Sequence, residues 1–208
     1  MTNGYLKIIF FKRLSKYTTD NRFIASAYEQ LFKNYKNSKR VYHDLSHVVQ
    51  LLKMLDEHSI HVNNKDIFYF AIWYHNAVFY SWRKNNVELS ANLAKEKLTQ
   101  AQFPVEFTEK VVQYILATEN YVSDNTNDLN YFLDFDLYVY ASDRTVYEVY
   151  VQQLRDEWHF YPNFLLRARR KKFLSNLLEK EFIFNTEEFR DASEKIAREN
   201  IQFELENY

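Results

Sequence analysis

"VYHDLSHVVQLLKML", residues 41–55, decides the fold. Its apolar residues Leu45, Val48, Val49, Leu51, Leu52 and Leu55 recur at three- and four-residue intervals and make one stripe of an α-helix. The same periodicity runs through most of the chain, strand-like alternation does not, and two prolines and one glycine in 208 residues do little to interrupt it. These patterns predict an all-α fold, with helices over 20–36, 44–58, 66–79, 87–101, 108–118, 129–141, 145–160, 163–179 and 187–203. Asp44 or Ser46, Thr108, Thr145 and Thr186 are placed to cap helix starts. "SWRKN" (81–85) and "SDNTND" (123–128) read as loops. The length suits a single domain over residues 1–208, with its core in about 20–203.

Composition removes several function classes. Gly4 is the only glycine, so neither a P-loop nor a dinucleotide-binding fingerprint can be built. No cysteine is present, which excludes disulfides, thiolate nucleophiles and sulfur ligands and leaves nitrogen and oxygen for any metal. A net charge of −1 and a pI near 6.6 give no electrostatic footprint for nucleic acid or acidic membranes. The basic run "RARRKKF" (167–173) reads as a solvated helix face. No apolar run is long enough for a membrane span, and residues 1–17 lack the pattern of a secretory signal, so a cytoplasmic location is expected.

Three places carry candidate chemistry. His43 and His47, four residues apart in a predicted helix, share a face and can reach one ion; two locally hydrogen-bonded histidines are the plainer reading. In "FYFAIWYHNAVFY" (68–80), His75 and Asn76 sit among residues apolar all round. Burial without a partner costs each a few kcal/mol, so they are either satisfied core groups or ligands. In "YFLDFDLYVY" (131–140), helical projection puts Asp136 near the centre of the apolar arc and Asp134 outside it. An inward Asp136 needs a cation, strong hydrogen-bond donors or a raised pKa; the nearby histidines suggest a metal as the cation, and a salt bridge to a core-lining arginine is the plainer reading. Two histidines, a third from a buried helix and a carboxylate make a His/Asp set suited to manganese, iron, cobalt, nickel or zinc.

At these residues the chain resembles the HD superfamily of metal-dependent phosphohydrolases, and more narrowly a bacterial family of small predicted HD phosphohydrolases. The resemblance runs through "YHDLSHV", "WYHNAVFY", "SANLA", "ILAT", "LDFDL", "YEVYVQQLRDEW", "FIFNTEEF" and "EKIAREN", over about 160 residues. It implies a helical bundle of HD type and a divalent transition metal held by His47, His75 with Asn76, and Asp136, with His43 in support. It further implies hydrolysis of a small phosphorylated substrate, a phosphate ester or nucleotide; Glu88, one position from where relatives have an acidic residue, is the candidate for proton transfer if slippage of its turn brings it inward.

The departures point the other way. Asn76 stands where the superfamily has aspartate, Val87 where relatives have an acidic residue, and "ATENY" lacks a histidine that relatives often carry after "AT". Asn brings a carbonyl oxygen but no negative charge, which leaves Asp136 as the only anionic ligand. Losses of this kind lower affinity or activity on the order of 10–100-fold. The rival expectation is therefore a catalytically silent binding protein with a weak or absent metal. A helical interaction module with tyrosines at its interface is a third.

Overall fold

A computed structural model describes residues 2–207. About 70% of the chain is helical, and no strand occurs among the described residues. The fold is all-α, as the periodicity predicts. The chain divides into two compact units, Met1–Asn120 and Tyr121–Tyr208.

The first unit holds α1 (Asn3–Leu14), α2 (Asn21–Tyr35), α3 (Leu45–Glu57), α4 (Lys65–Tyr74), α5 (Asn86–Gln100) and α6 (Val105–Ala117). It is organised around α4, in which every residue from 67 to 74 is buried. Asn64 caps this helix by accepting from the Ile67 N–H at 3.1 Å. The Trp73 ring meets Phe10 of α1 and Tyr28 and Tyr35 of α2 at centroid distances of 5.6, 5.8 and 6.2 Å, all near edge-on. Helices α3, α5 and α6 pack on the same central helix. Core residues Leu6, Phe10 and Leu14 place α1 ahead of the expected start of the core near residue 20.

Two of the expected caps, Thr108 and Thr145, do not cap. Helix α6 begins three residues early, because Pro104 at its N-cap supplies a φ of −51° and Thr108 is buried in the helix. Helix α8 is preceded by Asp143, which puts Thr145 in its first turn.

The second unit holds α7 (Asn127–Leu137), a 3-10 turn (Tyr138–Ala141), α8 (Arg144–Glu157), α9 (Asn163–Glu179) and α10 (Glu187–Glu206). Polar groups on α10 tie it together. Asn200 Nδ2 donates to the carbonyls of Tyr140 and Ser142, each at 2.8 Å. Arg198 donates to the carbonyls of Leu178, Lys180 and Glu181 at 2.8–3.1 Å, satisfying acceptors that the end of α9 leaves open. Arg170 makes a two-pronged ion pair with Glu204 at 2.9 and 3.0 Å and donates to Tyr140 Oη at 2.7 Å. The basic run is thus divided: Arg167, Arg169, Lys171 and Lys172 are exposed, while Arg170 is turned into the unit.

Candidate metal centre

In the first unit His47 and His75 come together. They are 4% and 1% exposed, and their Nε2 atoms lie 3.1 Å apart. His47 belongs to the first turn of α3, capped by Asp44, whose carboxylate accepts from the Ser46 N–H at 2.7 Å. His75 is the C-cap of α4. Its Nδ1 lies 2.8 Å from the Ile72 carbonyl oxygen, an acceptor only, so Nδ1 is the donor there, and in the neutral ring Nε2 is the nitrogen with the lone pair. Two nitrogens bound to one ion at about 2.0–2.1 Å, at cis angles from octahedral to tetrahedral, stand about 2.9–3.4 Å apart. The observed pair fits that requirement.

His75 owes its place to the way α4 ends. The apolar pattern predicts helix to residue 79, but the helix stops at Tyr74. Side chains from outside take over the carbonyls at this end: Tyr35 Oη donates to Trp73 O at 3.0 Å, and Asn34 Nδ2 to Ala77 O at 3.1 Å. The buried Arg40 donates through Nη1 to Asn76 O at 2.6 Å and through Nη2 to Ala77 O at 3.0 Å. Beyond it, Ser90 of α5 bridges the Val78 N–H and carbonyl at 3.0 and 3.1 Å. Asn86, one turn earlier, does the same for Tyr80 at 3.0 and 2.9 Å. The segment after His75 is therefore fixed by side chains rather than by helical bonds.

His43 lies outside α3, before its cap, so the shared helix face expected of His43 and His47 does not form. The His43 ring stacks on Phe79 at 4.6 Å and stands 6.0 Å from the His47 ring. Asn76 is half-buried, one residue past the C-cap, with its backbone carbonyl engaged by Arg40. Glu88 is exposed in the first turn of α5 and Val87 is half-buried; no slippage of the turn brings Glu88 inward.

In the second unit the two aspartates of α7 reverse their expected places. Asp134 is fully buried and Asp136 is half-buried. Asp134 accepts four hydrogen bonds: from Asn185 N–H at 2.7 Å and Nδ2 at 2.9 Å, and from Thr186 N–H at 2.8 Å and Oγ1 at 2.7 Å. Burial pushes its carboxyl above the ordinary range, and the four donors pull it part of the way back. Helical projection failed here because it scores hydrophobic neighbours alone, and the inward carboxylate is satisfied by a loop 51 residues later. Asp136 Oδ2 accepts from Tyr121 Oη at 2.7 Å.

No protein-family model, curated protein or solved structure matches the chain.

Sequence reasoning missed three supporting residues: Arg40, Ser90 and Tyr121. Arg40 and Ser90 fall in or beside the quoted motifs, but their bonds go to the backbone, which residue identity does not encode. Tyr121 carried a signal only as the residue that ends "ATENY".

Proposed function

We propose that the protein is an HD-type metal-dependent phosphohydrolase acting on a small phosphate ester or nucleotide. His47 and His75 are the nitrogen ligands of a divalent transition metal, and the resemblance to the HD superfamily adds Asp136 as the carboxylate. The observation that carries this reading is the buried Nε2 pair at 3.1 Å, with the His75 proton committed to the Ile72 carbonyl. Two buried imidazoles aimed at each other through their Nε2 atoms suit a shared cation of the borderline type that imidazole and carboxylate select. When bound, such an ion supplies Lewis acidity toward a phosphoryl oxygen and activates a water.

The chain's own residues divide the remaining work. Arg40, Tyr35 and Asn34 hold the end of α4 so that His75 presents Nε2. Asp136 carries the ligand set's negative charge, and Asn76 adds none. The exposure of Glu88 favours a second reading, in which the protein keeps its metal or ligand but lacks an acid in place for the proton transfer of hydrolysis.

Metal analysis of untagged protein purified without chelator tests the first reading. About one equivalent in wild type, lost in both His75→Ala and Asp136→Ala, is the expected result. Wild type that takes up none of manganese, iron, cobalt, nickel or zinc refutes it. A phosphatase screen with manganese, cobalt or nickel then separates the enzyme from the silent binder, since only the enzyme turns over substrate.

A further inference from the structure

We propose that Tyr121 is a positioning residue for Asp136, holding by its phenol the carboxylate that the metal reading employs; the inference rests on that reading. Three observations, all within the second unit, carry it. The first is the hydrogen bond itself, Tyr121 Oη to Asp136 Oδ2 at 2.7 Å. The second is the backbone of Tyr121, whose φ of 52° lies in the left-handed region. Glycine and asparagine enter this region readily, whereas a bulky aromatic does so at a cost in free energy that the surroundings must over-determine. The third is the means by which it is over-determined. Lys180 Nζ donates to the Tyr121 carbonyl at 2.7 Å, and the ring meets Phe173 near edge-on at 5.9 Å. A residue whose only task was to turn the chain after α6 would not need a phenol at this φ.

The chemistry explains why the donor is a phenol. A ligating carboxylate binds best when its plane is fixed by a hydrogen bond to one oxygen, which directs the other toward the ion. A lysine or arginine in this role would neutralise the charge the cation requires. Tyrosine fixes the plane and brings no charge of its own. Lys180 is instead committed to the backbone of Tyr121. With Asn76 contributing no charge, a neutral donor keeps the whole of the Asp136 charge for the ion.

The test titrates metal-stripped wild type, Tyr121→Phe and Tyr121→Asn with Mn²⁺ and Co²⁺ by calorimetry. It also records the visible spectrum of the Co²⁺ forms and the urea midpoint of each apo protein. Tyr121→Phe preserves the ring and is expected to unfold at the wild-type midpoint while its metal Kd rises about 10–100-fold and its Co²⁺ bands shift. Tyr121→Asn relieves the strained φ and is expected to lose metal affinity to the same extent even where its stability is equal or higher. Kd values within twofold of wild type and an unchanged Co²⁺ spectrum in Tyr121→Phe overturn the positioning role while leaving the metal reading intact. Wild type that binds neither ion overturns both.

Discussion

The two aspartates of α7 are expected to separate cleanly on mutation, one governing stability and the other metal. Replacing Asp134 removes the acceptor for four donors, two of them backbone N–H groups of Asn185 and Thr186. A buried donor left unsatisfied costs about 1–3 kcal/mol, and the side-chain amide and hydroxyl add less because they can reorient. Thr186 extends the damage, since its Oγ1 both donates to Asp134 and caps α10 by accepting from the Phe189 N–H. The sum for Asp134→Ala is about 3–5 kcal/mol, and for Asp134→Asn, which keeps one acceptor oxygen, about 2 kcal/mol. For a chain of this size each kcal/mol moves Tm by about 2–4 °C, so Asp134→Ala should melt roughly 10 °C below wild type. Asp136→Asn is expected to leave the apo protein within about 1 kcal/mol of wild type and to abolish metal uptake. Thermal and urea unfolding followed by circular dichroism, beside metal analysis of each variant, read both properties. The reasoning is wrong if Asp134→Ala melts within 2 °C of wild type, or if it keeps its stability and loses the metal.

Three further outcomes follow from the same contacts. The Asp134 carboxyl is raised by burial, so its ionisation is harder in the folded than in the unfolded chain. Its contribution to stability is full below the unfolded carboxyl pKa of about 3.9 and is lost as pH rises through the folded value. The stability deficit of Asp134→Asn, which cannot ionise, should therefore be larger at pH 4 than at pH 7 in urea titrations, and a larger deficit at pH 7 would contradict the sign. Asn76→Asp adds a negative charge next to His75 and is expected to tighten Mn²⁺ binding about tenfold by calorimetry; unchanged or weaker binding would show that position 76 does not face the ion. Arg40→Met removes the donors held by the carbonyls of Asn76 and Ala77 and should cost about 3 kcal/mol in urea and lower metal affinity as well. Retained affinity in that variant would separate the end of α4 from the site.

The helical class and most of the elements could be read from the sequence because burial and helical period agree over long stretches. Helices α2, α3, α5 and α9 begin and end close to the expected positions, and Asp44 and Thr186 cap where predicted. The readings that failed share one cause. Pattern scoring takes a residue's place from its hydrophobic neighbours, but the end of α4 and the orientation of α7 are set by polar side chains distant in sequence. Arg40 acts over 36 residues on Asn76, and Asn185 and Thr186 act over 51 and 52 residues on Asp134. Nothing local to positions 75–79 or 134–136 announces those partners.

The early stop of α4 is itself part of the candidate site. In a helix continuing to Phe79, the Ile72 carbonyl would be claimed by the Asn76 N–H four residues on. With the helix ended at Tyr74, that carbonyl instead receives His75 Nδ1 at 2.8 Å, and this bond leaves the Nε2 lone pair facing His47. The tautomer of a buried histidine thus depends on where its helix ends. That end depends in turn on Arg40, Asn34 and Tyr35 holding the carbonyls of Trp73, Asn76 and Ala77. The apolar residues from 77 to 79 would favour a longer helix, so the polar capping opposes local propensity. Such a conflict is expected where a side chain's orientation matters more than the stability of one helical turn.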